Sequence, residues 1–177
     1  GDLIKKGAGT LTLNGNNVYI GDTQISMGKV VVSKNQSLGV NNKAIFAAGT
    51  ALETSTAVTL GNAIQLDGDT TVHSLNNNSI LNGVVSGAGG ITKDGVGSLT
   101  LNGVNTYTGN TSLNAGKVIV NNNQSLGAGA NITFQTNTTL ETEANVALSQ
   151  AVQLLGDATV NTLFIATRHD SHGKYVL

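Results

Sequence analysis

The chain has 177 residues, of which 11% are charged and 3% aromatic, and its formal net charge is −1. This balance gives no electrostatic basis for nucleic acid or an anionic membrane as a partner. The absence of Cys excludes disulfides, thiol catalysis and Cys-ligated zinc, and the chain has no apolar run of about 18 residues that would span a membrane as a helix. Twenty-three Gly residues, with abundant Asn, Thr and Ser, disfavour a helical core.

Short segments of alternating apolar and polar residues run along the chain, and they predict strands of about 4–6 residues. Gly, Asn or Asp follows nearly every segment, as expected where a tight turn ends a strand. The expected core residues, in chain order, are Leu11, Leu13, Val30, Val32, Val58, Leu60, Ile64, Leu66, Val72, Leu75, Val118 and Val120.

The first half of the chain is repeated in the second half. A shift of 88 positions aligns Leu3–Leu75 with Ile91–Leu163 without a gap, and blocks such as LTLNG and NQSLG occur twice. Such a fixed period is the signature of a repeat architecture. Short strands also suit a sandwich or a barrel, but a gap-free period of this length favours a β-solenoid.

The repeat divides the chain into a first copy at residues 1–88, a second copy at 89–163 and a divergent tail at 164–177. If one coil takes about 22 residues, each copy forms about four coils and the chain about eight, in a rod roughly 35–40 Å long. We expect stacked Asn amides to bond from coil to coil at the turns. The tail is interpreted as a cap, the start of a different segment or an appended sequence.

Glycines recur at fixed positions of the repeat, and we call this set the glycine frame. The repeat follows the pattern G-x-G-[TS]-L-T-L-x-G-x-N-x-Y-x-G-x-T. This pattern resembles the autotransporter-associated β-strand repeat, also called the passenger-associated transport repeat. The first copy carries it at Gly7, Gly9, Leu11, Leu13, Gly15, Asn17, Tyr19, Gly21, Thr23 and Gly28. The second copy carries it at Gly95, Gly97, Leu99, Leu101, Gly103, Asn105, Tyr107, Gly109, Thr111 and Gly116. The copies differ at Val18 and Ile20, which replace Thr106 and Thr108.

The resemblance implies an all-β fold, a right-handed parallel β-helix, within the secreted passenger of a bacterial autotransporter. It implies an outer-membrane-associated location on the cell surface, and passage through the passenger's own translocator barrel. The repeat itself is expected to aid export by stacking coils outside the cell. Host-cell surface or matrix ligands are possible partners, and the exposed edges at the rod ends suggest end-to-end self-association.

The candidate catalytic and metal-binding residues are few, and each has a simpler interpretation. His73 alternates with Val72 and is expected to face solvent, and its counterpart is Asn161. His169 and His172 form an H-x-x-H in the tail, which supplies fewer than the three protein ligands that a catalytic zinc needs. Asp67 and Asp69 are two candidate calcium ligands, but the residue equivalent to Asp67 in the second copy is Leu155. No cofactor or metal is predicted.

A polysaccharide-degrading enzyme would need two carboxylates about 5–9.5 Å apart. Glu53 and Glu141 occupy equivalent positions, and four coils of stacking would place them about 19 Å apart. Glu141 and Glu143 share one strand face about 7 Å apart, but Ser55 replaces the second acid in the first copy. We therefore predict a non-catalytic stalk or adhesin segment. A β-helical polysaccharide-degrading enzyme and a carbohydrate-binding module are the alternatives.

Overall fold

The structure, a computed structural model, describes residues 1–129 and 131–162. All the secondary-structure elements in these ranges are β-strands of two to five residues. No helix that could cross a bilayer is found there. The strands are β1 (Leu3–Lys5), β2 (Thr10–Leu13), β3 (Thr23–Ile25), β4 (Lys29–Val32), β5 (Lys43–Phe46), β6 (Ala51–Thr54), β7 (Thr59–Leu60), β8 (Ala63–Leu66), β9 (Thr70–Ser74), β10 (Asn78–Leu81), β11 (Val85–Gly87), β12 (Ile91–Asp94), β13 (Ser98–Leu101), β14 (Thr111–Leu113), β15 (Lys117–Val120), β16 (Asn131–Phe134), β17 (Thr138–Thr142), β18 (Ala151–Leu154) and β19 (Ala158–Thr162). The predicted tail at residues 164–177, with His169 and His172, lies outside the described residues.

The strands form three parallel sheets of five, eight and six strands, and the eight-stranded sheet runs the length of the described solenoid. Sheet I contains β1, β3, β5, β8 and β11; sheet II contains β2, β4, β6, β9, β12, β14, β16 and β18; sheet III contains β7, β10, β13, β15, β17 and β19. Strands that follow each other in the chain lie in different sheets, and each strand pairs with the strand one coil away. The eight strands of sheet II mark eight coils in the described part of the chain, which confirms the predicted all-β, parallel β-helix.

The coil is shorter than the 22 residues that we estimated. Along sheet II, seven successive pairings lead from Thr10 to Gln153, a separation of 143 positions or about 20 residues a coil. Individual steps range from 19 residues, between Thr10 and Lys29, to 22, between Lys29 and Ala51. Short strands joined by tight turns account for the small coil.

One copy of the repeat therefore spans about four and one-third coils, rather than four. Its strand β1 lies in sheet I, whereas the equivalent strand β12 lies in sheet II; likewise β2 lies in sheet II and β13 in sheet III. Equivalent residues of the two copies consequently lie on different faces of the rod. Glu53, in sheet II, and Glu141, in sheet III, are separated by both four coils and a change of face.

The core consists of rows of like side chains, stacked from coil to coil. One row in sheet II contains Leu11, Val30, Leu52, Val72, Lys93, Leu113, Phe134 and Leu154. Most of the predicted core residues are buried, and Val30, Val32, Val118 and Val120 are 0% exposed. Leu75 is an exception at 39% exposure, because the alternation of β9 turns Ser74 inward instead.

The predicted amide stacking is present at the corner that follows sheet III. Asn102 Nδ2 donates to Asn82 Oδ1 at 2.7 Å, and Asn121 Nδ2 donates to Asn102 Oδ1 at 2.6 Å. Three successive coils are therefore joined by one ladder of side-chain hydrogen bonds. Such a ladder satisfies polar groups in the turns, where the strand pairing is interrupted.

Gly116 shows why the glycine frame is needed at a corner. Its φ is +69°, and an added Cβ would lie 2.5 Å from the carbonyl oxygen of Gly95 and would also collide with that of Gly97. Both the backbone conformation and the close approach of the preceding coil exclude a side chain. Gly28, the equivalent residue of the first copy, has a φ of +73° and is equally crowded.

We expect Gly116→Ala to lower the free energy of unfolding by about 2–4 kcal/mol, because strain and collision with backbone add together. The measurement is a urea titration followed by circular dichroism. Gly61→Ala is the matched control, since Gly61 has no positive φ and an added Cβ would contact nothing within 4 Å. Equal destabilisation by the two substitutions would contradict this role of the glycine frame.

Candidate functional site

The leucines of the repeat motif point into the core in both copies. Leu99 and Leu101 are 0% exposed. Their equivalents Leu11 and Leu13 are half-buried, because among the described residues their strand β2 pairs on one side, with β4. Eight of the motif glycines lie at corners between strands: Gly7, Gly9, Gly15, Gly21, Gly95, Gly97, Gly103 and Gly109.

The segment at residues 102–110, which we call the Asn–Tyr loop, bonds its coil to both neighbours. Asn105 Oδ1 accepts from the backbone N–H of Val85 at 2.8 Å, and Asn105 Nδ2 donates to the Ser125 carbonyl at 2.6 Å. The hydroxyls of Tyr107 and Thr111 lie 2.7 Å apart. Asn105 and Tyr107 are 2% and 0% exposed, so these polar groups are satisfied within the protein.

The first copy repeats two of these contacts with the equivalent residues. Asn17 Nδ2 donates to the Ser37 carbonyl at 2.6 Å, and the hydroxyls of Tyr19 and Thr23 lie 2.8 Å apart. The Asn, Tyr and Thr of the sequence motif thus share one structural role. In loops that lack backbone pairing between strands, their side chains supply the hydrogen bonds instead. Burial raises the pKa of the Tyr107 phenol, and its bond to Thr111 opposes this increase only partly.

The repeated NQSLG block forms a turn that also reaches the next coil. Ser125 Oγ accepts from the N–H of Asn122 at 3.2 Å, and Asn123 Oδ1 accepts from the N–H of Ala147 at 2.8 Å. In the first copy, Asn35 Oδ1 accepts from Thr59 N–H at 2.8 Å. The polar residues of the block therefore fix both the turn and its attachment to the following coil.

A buried lysine at one corner was not identified from the sequence. Lys93 is 0% exposed and lies in an aliphatic row of sheet II. Its Nζ donates to the carbonyls of Asp94 and Gly95, both at 2.7 Å, and of Ala115 at 3.2 Å. The available signal was its position two residues after Ile91, on the inward side of the alternation.

The equivalent Lys5 makes the same kind of contact, with Nζ donating to Gly7 O at 2.6 Å and Met27 O at 2.8 Å. Each lysine thereby connects a turn of its own coil to a turn of the next, and we call this arrangement the lysine corner. Burial lowers the pKa of Lys93 to about 8, and the Asp94 carboxylate opposes this decrease. The amine thus serves a structural purpose at the cost of desolvation.

The two equivalent glutamates considered as catalytic acids are each paired with a lysine of the preceding coil. Lys29 Nζ lies 2.7 Å from Glu53 Oε2, and Lys117 Nζ lies 2.7 Å from Glu141 Oε2. Both pairs are partly exposed, so each contributes modestly to stability. Because the pair occurs in both copies, it belongs to the repeat and joins coils on two different faces.

The other candidate residues are also engaged in local contacts. His73 lies on the outward side of β9, as predicted, with Nδ1 3.3 Å from Asp94 Oδ2. Asp67 accepts from Gln65 Nε2 and Asp69 accepts from Gly90 N–H, both at 2.7 Å. Within residues 1–129 and 131–162, no three acidic or His side chains are grouped as metal ligands.

The lowered pKa of Lys93 predicts that the free energy of unfolding increases with pH. Its pKa is about 8 in the folded protein and about 10.4 in an unfolded chain. Between these values the unfolded state binds the additional proton, so the free energy of unfolding increases by at most about 1.4 kcal/mol per pH unit. Urea titrations from pH 7 to 9.5 measure the slope and avoid Tyr107, whose raised pKa makes stability fall above pH 10.

The slope is expected to disappear in Lys93→Met and to remain in Lys117→Met, since Lys117 is a partly exposed member of an ion pair. A Lys93→Met protein that keeps the wild-type pH dependence would show that another group is responsible.

Two asparagines provide a test of the Asn–Tyr loop. Asn105→Ala leaves the buried Val85 N–H and Ser125 carbonyl without their side-chain partner, and we expect a loss of about 2–4 kcal/mol. Asn102→Ala removes bonds from the more exposed ladder and should cost about 1 kcal/mol or less. Chemical denaturation compares the two, and a larger loss for Asn102→Ala would refute the assignment.

Comparison with known proteins agrees with this geometry. A family model described as Passenger-associated-transport-repeat matches residues 3–32 and 91–120, which include the lysine corners and Asn–Tyr loops of both copies. The chain is 38% identical to the adhesin BmaC autotransporter of Brucella suis biovar 1 (strain 1330), over an alignment 128 residues long that covers 63% of the chain. It spans 4% of the length of that relative. No solved structure matches the chain significantly. The predicted resemblance is therefore confirmed, and the chain contains two passenger-associated transport repeats, one in each half of the solenoid.

Proposed function

We propose that this chain is a non-catalytic stalk segment of an autotransporter passenger, displayed on the bacterial cell surface. Its coils stack outside the outer membrane, which aids export of the passenger through its translocator barrel. The finished rod then holds other segments of the passenger away from the cell.

The observation that carries this proposal is that the same kinds of coil-to-coil bond recur in both copies. Each strand pairs about 20 residues away, with the adjacent coil, and the lysine corner and the Asn–Tyr loop add bonds between the same neighbours. A coil can therefore bury its apolar side as soon as one neighbour is in place, without waiting for distant sequence. Folding in this order makes backward movement of the exported chain unfavourable.

The use of the polar groups supports a structural rather than a catalytic role. Glu53 and Glu141 are held by lysines, and the described buried side-chain atoms without a hydrogen-bond partner are Ser74 Oγ and Gln150 Oε1. Neither atom belongs to a cluster of acids and bases such as hydrolysis requires. We therefore favour the stalk over the polysaccharide-degrading enzyme.

Adhesion is a second role that one observation favours. The relative from Brucella suis is named an adhesin, and this chain matches a small part of it. A stalk segment would serve such a protein by presenting its ligand-binding regions to a host-cell surface or matrix. Binding by the isolated chain to host cells or to glycans would extend the role of this segment from spacing to adhesion.

The export role predicts that a charge in the core blocks surface display. Val120 is 0% exposed and lies in a row with Leu101. Val120→Asp or Leu101→Asp places an unpaired carboxylate among aliphatic side chains, which costs several kcal/mol. We expect neighbouring coils to melt and the amount of passenger at the cell surface to fall about tenfold or more. Surface labelling of the full-length passenger measures the effect.

Ile119→Asp is the matched control, because Ile119 is adjacent in the same strand and points outward. This variant should be displayed normally. Normal display of Val120→Asp, combined with proof that its purified coils are unfolded, would separate export from coil stacking and contradict the proposed role.

A further inference from the structure

An open groove lies on sheet III, beside the corner at which the chain arrives from sheet II. Its volume is about 390 Å³, which is within the range of small-molecule binding sites. Residues 76–78, from the first copy, line one part of it, and Ser98, Lys117 and Glu141, from the second copy, line another. The groove therefore combines residues of both copies and does not follow from the repeat motif alone.

The polar side chains of the groove follow the axis of the solenoid. Asn78, Ser98 and Lys117 are register partners on β10, β13 and β15, and Glu141 lies on the next strand, β17. Four successive coils thus contribute one polar side chain each, over about 14 Å at the spacing of paired strands. A ligand that fills the groove is therefore elongated, with polar groups at about the spacing of the coils.

These polar side chains are held in place by hydrogen bonds. Ser98 Oγ donates to Asn78 Oδ1, and Lys117 Nζ donates to Glu141 Oε2, both at 2.7 Å. Ser98 is 8% exposed although it lies on the outward side of β13, so it forms the floor of the groove. The two bonds do not engage the Asn78 amide N–H groups, the other N–H donors of Lys117 or the second oxygen of Glu141. Donors and acceptors that are already positioned lower the entropic cost of binding.

Aliphatic side chains accompany the polar ones. Val96 is 73% exposed at the edge of the groove, and Ile119 lies on the outward side of β15. The surface is therefore mixed, with apolar area beside fixed donors and acceptors. Such a surface suits a sugar, whose ring has C–H groups on its faces and hydroxyls on its edges.

The charge of the groove and its strand pairing argue against two other classes of ligand. Lys117 and Glu141 neutralise each other, so no excess positive charge is present to hold a phosphate or a nucleic acid. Strands β13 and β15 are each paired on both sides, so neither offers an edge to an extended peptide. A neutral ligand with many hydroxyls fits these constraints best.

We propose that this groove binds a neutral oligosaccharide that lies along the solenoid axis, with its hydroxyls bonded to Asn78, Lys117 and Glu141. In an extended glycan, successive rings are separated by about one strand spacing, so that each coil meets one ring. The inference supplies a ligand class for the adhesion role proposed above and rests on that role. The stalk role does not depend on it.

An array that carries neutral and sulfated glycans, probed with the purified chain, tests the class of ligand. We expect binding to neutral oligosaccharides longer than a disaccharide, and we expect it to persist at high salt, because no net charge is involved. Binding to no glycan on the array, or to sulfated glycans alone, overturns the proposal.

Matched variants test the location of the site by calorimetric titration with the neutral glycan that the array binds best. Asn78→Ala and Lys117→Gln should each weaken binding about tenfold or more, since each removes donors to the ligand. Lys29→Gln is the control, because Lys29 forms the same ion pair with Glu53 on sheet II, and it should bind like the wild type. Wild-type affinity in the two groove variants, or an equal loss in the control, overturns the assignment.

Val96→Arg keeps the test independent of folding. Val96 is exposed, so a larger charged side chain obstructs the groove without entering the core, and glycan binding should be lost. In the full-length passenger this variant should still reach the cell surface in normal amounts, which separates the groove from the stalk role. Display that falls together with glycan binding would trace the loss to a defective solenoid and would contradict the proposed site.

Discussion

Parallel pairing of each coil with the next, about 20 residues along the chain, is the constraint on which the rest of this protein depends. A strand of three or four residues cannot stand alone, because its polar backbone and its one apolar side both need a neighbour. Stacking supplies both at once. It also requires that side chains of similar size and polarity lie above one another, which explains why the sequence repeats itself.

The same constraint explains the unusual placement of polar residues. Where strands give way to loops, the ladder of backbone hydrogen bonds is interrupted, and Asn105, Tyr107 and Lys93 restore the connection with side-chain bonds. Burying an amine in an aliphatic row is costly. The protein accepts this cost twice, at Lys5 and Lys93, because each amine satisfies carbonyl groups of two successive coils.

The fractional coil count has consequences for the surface of the rod. Because a copy spans about four and one-third coils, each new copy begins on the next face, as β1 in sheet I and β12 in sheet II show. The Lys29–Glu53 and Lys117–Glu141 pairs accordingly lie on different faces of the rod. A longer array of such repeats would distribute each surface feature around its axis, while the core remained continuous.

The strand type, the turns, the repeat and most of the core could be predicted from the amino-acid sequence, because alternation and glycine placement are local properties. The sequence also identified the repeat family, through motif residues that occur twice. The coil length, the rotation of the second copy and the inward position of Lys93, Ser74 and Asn105 emerged from the three-dimensional fold. All three features depend on the positions of the turns between strands. Those positions are set by contacts with the neighbouring coil rather than by the residues within each turn.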